Sequence, residues 1–325
     1  MSAGSLGSST PRGATLDSAG MTTPEPDYRD DELVRTISTD GSIAVRTLVA
    51  RNLVAEAAER RPLAPTALAA LGRLLAGTVL LATGPVSKNK QDVETVQLQF
   101  RGNGPLGMMV ALCDSTGRVR GTVSNPSVDL PLRDGQPDVA KAIGLGTLSV
   151  VRSRPSWREP HSGTVPLVSG EVAADIALYL SESEQTPSAV GLGVAVGTEG
   201  RVDATGGFLV QSLPYADAES VTRLERNVRE LPSTSALLLD GVRAEGLADL
   251  LLEGLGARTL HRSMPVFYCP CSRDRALRTL LLLGRDEMLE IIDIGEPQEV
   301  GCEFCGRRYQ LDSDEIRPLV PHESA

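Results

Sequence analysis

Cys269-Pro270-Cys271 and Cys302-Glu303-Phe304-Cys305 stand in the last quarter of the chain, with residues 272–301 between them. Two close-set thiol pairs from separate segments can converge on one tetrahedral zinc ion without the help of a large core. Such a two-pair arrangement is a far more specific metal signal than a lone Cys-x-x-Cys. Gly306 permits a tight turn after the last thiol, and Arg307–Leu311 is expected to leave as a strand. Ser272 suits the N-cap of a helix over Arg273–Leu283 that Gly284 closes. Cys269, Cys271, Cys302 and Cys305 are therefore the expected ligands of one Zn2+.

Two uses of such a site are open on chemistry alone. As a staple, bound zinc contributes ~10–16 kcal/mol to folding a segment too small to have a sufficient core. As a sensor, each pair can close as a local disulfide on oxidation and eject the metal. Arg273, Arg275, Arg307 and Arg308 lie close in sequence and are expected to keep the thiolates reactive.

The rest of the chain reads as what this segment is attached to. Its 325 residues exceed the usual single-domain size. A net charge of −10 argues against nucleic acid and against anionic membrane surfaces as partners, because both need clustered Lys and Arg. Four of the five cysteines fall in one segment, unlike a secreted disulfide scaffold. Residues 1–31 have no apolar stretch of the secretory type and are rich in Ser, Thr, Gly and Pro, so a disordered tail is expected there. Met21 is an alternative start, and Arg12 is too little positive charge for an organellar transit peptide. A cytoplasmic location follows as the expectation. The apolar run Ala64–Thr83 contains Pro65 and Arg73 and falls short of the ~20 uninterrupted residues a bilayer needs. It reads as a buried core helix.

Hydropathy patterning then gives the fold class. After a polar lead-in from residue 32, Ser42–Ala50 reads as a strand, and Leu53–Arg60 as a short helix with Glu56, Glu59, Arg60 and Arg61 outward. Val96, Leu98 and Phe100 alternate with Gln97, Gln99 and Arg101, as in a strand with one buried face. Short turns at Gly102–Pro105 and Asp114–Gly117 link it to strands at Leu106–Leu112 and Arg118–Val123, an antiparallel meander. Further strands are expected at Gly146–Val151, Gly163–Val168, Ala189–Val196 and Gly207–Leu213, with a helix over Glu171–Glu182. This is an α+β core domain over 32–214. Residues 215–262 are charged, leucine-rich and broken by Gly241, Gly246, Gly254 and Gly256. Their helices are too short to persist alone, so they must lean on a neighbour.

Other candidates carry less. Cys113 reads as a buried core thiol, and His161, His261 and His322 are scattered. Gly191-Leu192-Gly193 lacks the third glycine and the helix start of a dinucleotide site. No catalytic constellation stands out, and an enzyme is not expected.

The chain resembles the heat shock protein 33 family, the redox-regulated holdase chaperones. The Cys269-Pro270-Cys271 and Cys302-Glu303-Phe304-Cys305-Gly306 motifs carry the likeness. Gln97-Leu98-Gln99 with Gly102-Asn103-Gly104-Pro105, Ser183-Glu184-Gln185 with Pro187, and Gly206–Gln211 leading into Pro214 extend it over about residues 32–318. Asn103 stands where the family commonly has an aspartate. The resemblance implies a disordered tail (1–31), an antiparallel-sheet core domain (32–214), a metastable helical linker (215–262) and a small four-cysteine zinc domain (263–325). It also implies a zinc-bound chaperone that is inactive while reduced. Hypochlorite, or peroxide with heat, would form two disulfides, Cys269–Cys271 and Cys302–Cys305, with zinc release and linker unfolding. The activated protein, a homodimer, would then bind unfolding clients without ATP. A constitutive zinc-ribbon interaction module is the alternative. A thiol–disulfide oxidoreductase ranks last, since it needs a Cys-x-x-Cys at a helix start.

Overall fold

Helix α2 (Pro65–Ala82) is apolar on nearly every face, so it can be satisfied only by burial on all sides. Two antiparallel sheets provide that burial. The computed structural model describes residues 30–84, 92–197 and 200–320. The tail expected over residues 1–31 falls almost wholly outside this range.

The chain enters as a hairpin of β1 (Glu32–Ser38) and β2 (Ile43–Val49), then forms α1 (Arg51–Arg60) and α2. The hairpin turn is fixed by Asp40, whose carboxylate accepts from the Ser38 hydroxyl and from the Ser42 amide and hydroxyl. The meander follows as β3 (Thr95–Gly102), β4 (Met108–Asp114) and β5 (Arg118–Val123). A short α3 (Val139–Ile143) leads to β6 (Gly146–Ser153), β7 (His161–Pro166) and α4 (Val172–Glu182). Strands β8 (Ser188–Val196) and β9 (Val202–Ser212) complete the core. Three helices come next, α5 (Ala218–Glu230), α6 (Thr234–Leu239) and α7 (Ala244–Leu251), then β10 (Ala257–Ser263) and the two-residue β11 (Val266–Phe267). The last segment holds α8 (Arg273–Leu280), α9 (Arg285–Ile294), β12 (Gln298–Gly301), β13 (Arg308–Leu311) and α10 (Ser313–Ile316).

The first sheet runs β10-β1-β2-β9-β8 and the second β11-β5-β4-β3-β6-β7. All pairs are antiparallel except β11 on β5. Helix α2 lies between the sheets, close enough to α4 and β8 that a Cβ on Gly77 would stand 2.6 Å from Ile176 Cδ1. The other face of the first sheet presents Ile43, Val45, Phe208 and Val210, and on it rest Leu224, Leu237, Leu247 and Leu251 of α5–α7. The leucine-rich helices thus have the neighbour their length requires. A third, small core joins Ala276, Leu280, Met288, Ile292, Leu311 and Ile316 within the cysteine-bearing segment.

Four readings are corrected. The polar lead-in contains β1, whose Leu33 and Val34 are fully buried, while its charged ends hide the alternation. Residues 257–263 form strand β10 at the end of the expected helical stretch. That strand is exposed on both faces and so has no hydropathy period; its pairing with β1 defines it. The helix expected to reach Leu283 stops at Leu280, and α9 follows it. Finally, Glu56 does not face outward: it is only 6% exposed, with Arg60 reaching back to it at 2.7 Å.

Candidate metal centre

Strand β11 delivers Cys269 and Cys271 to the end of the second sheet, and Ser272 then caps α8 by accepting from the Arg275 amide. Cys302 and Cys305 occupy the turn between β12 and β13. The turn closes through Gly306 N to Cys302 O and Cys302 N to Arg307 O, each 2.8 Å. Gly306 has φ +69°, a left-handed conformation that glycine adopts without a steric penalty.

The four sulfurs lie within 4.8 Å of one another. Cys269 Sγ is 3.6 Å from Cys302 Sγ, and Cys271 Sγ is 3.3 Å from Cys305 Sγ. A tetrahedral ion with metal–sulfur bonds of about 2.3 Å sets ligand sulfurs about 3.8 Å apart. The donor set and its spacing fit a four-thiolate metal site. Both of these close contacts run across the two pairs. Cys305 is almost fully buried and the other three are half-buried.

The environment differentiates the thiols. The Cys269 thiol and the Arg307 backbone amide hydrogen-bond Cys305 and hold its thiol below the ordinary range, against the opposing effect of burial. Cys269 is pushed up, by the same shared hydrogen bond and by burial. Tyr309 donates its hydroxyl to Cys271 Sγ at 3.2 Å. Burial and that bond raise the Tyr309 hydroxyl to about 12, so it remains a donor at neutral pH.

Of the arginines near in sequence, Arg307 hydrogen-bonds the Tyr309 hydroxyl that donates to Cys271, while two others are paired with carboxylates. Arg273 makes a two-bond pair with Glu315, and Arg308 pairs with Glu299. Arg275 lines a 370 Å³ cleft beside the cysteines, together with Arg120 from the core. Further cations come from residues remote in sequence. Arg61, just past α1, donates to the main-chain carbonyl of Glu303 at 2.6 Å and to the Thr122 hydroxyl of β5. Arg120 on β5 lies over the Phe304 ring at 4.9 Å, Arg118 over Tyr268 at 5.2 Å, and Arg60 over Phe267 at 5.6 Å. Gly306 sits so close to the end of α1 that a Cβ there would stand 2.7 Å from the Arg60 carbonyl oxygen. The cysteine turn is therefore seated directly on α1 and β5, and the sulfurs pack against the main core. An apolar Phe304 inside a short polar turn was the one sequence sign of this docking.

The remaining candidates fall elsewhere. Cys113 is buried in β4, and burial raises its thiol well above the ordinary range. His161 packs edge-on against Trp157, His261 is on exposed β10, and His322 lies outside the described residues. Gly191 and Gly193 are within β8, not in a loop before a helix. Among the described residues α2 alone is long and apolar enough to cross a membrane, and 89% of it is buried inside the protein.

The sequence profile of the family described as Hsp33 protein matches residues 31–312. A 33 kDa chaperonin of Geobacter sulfurreducens is 42% identical over 289 residues, covering 89% of this chain and 94% of that protein. A 33 kDa chaperonin of Thermus thermophilus is 42% identical over 298 residues, covering 89% of this chain and 86% of that one. Among solved structures, the 33 kDa chaperonin (heat shock protein 33 homolog) of Thermotoga maritima superposes with a TM-score of 0.81 at 34% identity, covering 90% of this chain and 98% of that chain.

Proposed function

The chain belongs to the Hsp33 family of chaperones, and from that premise we propose that it is an oxidation-activated holdase rather than an enzyme. Cys269, Cys271, Cys302 and Cys305 are the ligands of one Zn2+ in the reduced, inactive protein. When bound, zinc supplies the cross-link that holds residues 263–320 as a unit. Each thiolate pair that meets hypochlorous acid gives up two electrons. A sulfur–sulfur bond forms, and the oxidant takes up one proton from solvent and leaves as chloride and water. Two such steps, joining Cys269 to Cys271 and Cys302 to Cys305, remove all four thiolate donors.

Convergence of the four sulfurs on a turn seated against the core is the observation that carries this reading. With the donors gone, the six-residue core around Met288 has little to hold it, and loosening would reach α5–α7, which rest on the first sheet, through the β10–β11 segment that joins the two regions. Apolar surface then becomes available to unfolding clients. We assign the boundaries 32–214, 215–262 and 263–325 to core, linker and switch, with homodimerisation on activation and a cytoplasmic setting.

The test follows zinc release with a chromophoric chelator alongside suppression of client aggregation as oxidant is added. Loss of four thiols, release of one zinc and onset of holding activity in step are expected. Zinc release with no gain in holding would leave the metal a structural staple in a constitutive interaction module.

A further inference from the structure

The outer strip of β5 is already occupied by an extended, aromatic peptide, and that peptide is the chain's own. Val266 and Phe267 pair in parallel with Arg118 and Val119, through Val266 N to Gly117 O at 3.0 Å and Tyr268 N to Val119 O at 2.8 Å. On one side Phe267 enters the main core beneath Arg60; on the other Tyr268 lies under Arg118 and remains half exposed. Phe304 stacks on Arg120 two residues further along the strand. Arg118, Arg120 and Thr122 share one face of β5 by the two-residue period, and Leu112 and Val110 of β4 stand opposite the last two in register.

The seat has the three properties of a strand-receiving site. Its backbone edge is taken by only two residues, and an edge left open pairs readily with another extended chain. Its face carries guanidiniums that stack on aromatic rings. It is cationic in a chain whose net charge is −10: Arg61, Arg118 and Arg120 converge here, and Arg60 is neutralised locally by Glu56. The covering turn presents a carboxylate, Glu303, toward Arg61 at 3.4 Å.

We propose that this strip of β5 and the end of α1 is a client-binding site for extended segments bearing aromatic residues beside acidic ones, and that residues 266–268 with Phe304 are its intramolecular occupant in the reduced protein. The proposal rests on the oxidation-driven release described above, which would lift that occupant away. It adds which surface is uncovered and what chemistry it selects.

The probe is a dye-labelled peptide reproducing residues 264–268 with two glutamates added, titrated onto the full chain before and after hypochlorite treatment. Binding should strengthen by at least roughly tenfold on oxidation, and should fall by a similar factor when the peptide's Phe and Tyr are replaced by Ser. The joint change Arg118→Ser and Arg120→Ser should weaken peptide binding to the oxidised chain by about the same factor. Because those changes could loosen β5 itself, a photo-crosslinking residue in place of Thr122 gives a second readout: peptide adducts at that position are expected only after oxidation. Equal peptide binding to the reduced and oxidised chains, or oxidised binding with no adduct at position 122, overturns the proposal. Aggregation suppression without peptide binding would sink the strip and spare the holdase reading. Peptide capture at Thr122 without aggregation suppression would do the reverse.

Discussion

The Arg61 guanidinium donates to the main-chain carbonyl of Glu303 at 2.6 Å, tying the end of α1 to the turn between the second pair of cysteines. The nearer acceptor is backbone; the Glu303 carboxylate lies 3.4 Å from the same guanidinium but is 79% exposed, so its own contribution is the smaller one. Arg61→Gln should therefore weaken docking of the cysteine turn by about 1–2 kcal/mol, the range for a charge-assisted hydrogen bond with partial solvent access. Glu303→Gln should change it by less than about 0.5 kcal/mol. Hydrogen exchange at the Tyr268 amide, which is protected by Val119 O, reads the difference. Equal exchange in the two variants would count against a backbone-directed latch.

That latch was not legible in the sequence, and the reason is physical. Arg61 and Glu303 are 242 residues apart, and no local period or spacing links them. The four cysteines were legible because two-residue and three-residue spacings within each pair are themselves the chemistry. Alternation in β3 and the all-round apolar character of α2 were legible because each reports burial within a few residues. Strand β10 was hidden for the opposite reason: it buries neither face and exists through backbone pairing with β1, which leaves no trace in side-chain pattern.

Gly306 answers two demands at once. Its φ of +69° disfavours any side chain, and a Cβ there would meet the Arg60 carbonyl oxygen at 2.7 Å. Gly306→Ala should cost about 1–2 kcal/mol for the backbone conformation, with a further loss of docking. Metal affinity measured by chelator competition should fall, and Tyr268 amide exchange should rise with it. Unchanged affinity together with unchanged exchange would show that neither demand is real.

Asn227 on α5 is buried, and its side-chain amide donates to the carbonyls of Leu251 and Glu253 at 3.0 and 2.9 Å. These are orphan acceptors at the end of α7, so Asn227 fastens two linker helices to each other. Asn227→Leu keeps the volume and removes both bonds, at an expected cost of about 1–3 kcal/mol. Hydrogen exchange should quicken across 218–252 and stay unchanged in β3 and β4. On the proposed mechanism the same variant reaches full holding activity at a lower oxidant dose.

Asp31 accepts from the Asn52 and Leu53 amides at the start of α1, yet burial outweighs those bonds and raises its carboxyl from 3.8 to about 6. A carboxyl with a raised folded-state pKa stabilises the fold most below its unfolded value near 3.8, and that contribution is lost as pH rises through about 6. Asp31→Asn removes the titration. Relative to the parent, the variant should therefore gain on the order of 2 kcal/mol between pH 4 and pH 7. Denaturant melts of both proteins across that range measure the gap. A gap that stays constant with pH would mean that Asp31 ionises normally in the fold.

Metal removal should separate the cysteine segment from the rest. Only six residues form its own buried core, against the far larger cluster around α2, so a segment of this size needs the cross-link to stay folded. Chelation of the reduced protein should erase amide protection over 266–320 while β2, β3 and β9 keep theirs. Cys302→Ser, which removes one of the four donors, should loosen the same region without any oxidant. The cross-pair sulfur distances of 3.6 and 3.3 Å sharpen the result further. If the metal-free segment stayed folded, oxidation would join the neighbours Cys269–Cys302 and Cys271–Cys305. If it unfolds as expected, oxidation favours partners close in sequence, Cys269–Cys271 and Cys302–Cys305, because short loops close at the least entropic cost. Peptide mapping of the chelated and then oxidised chain distinguishes the two, and cross-pair bonds would show that the metal-free segment stays folded.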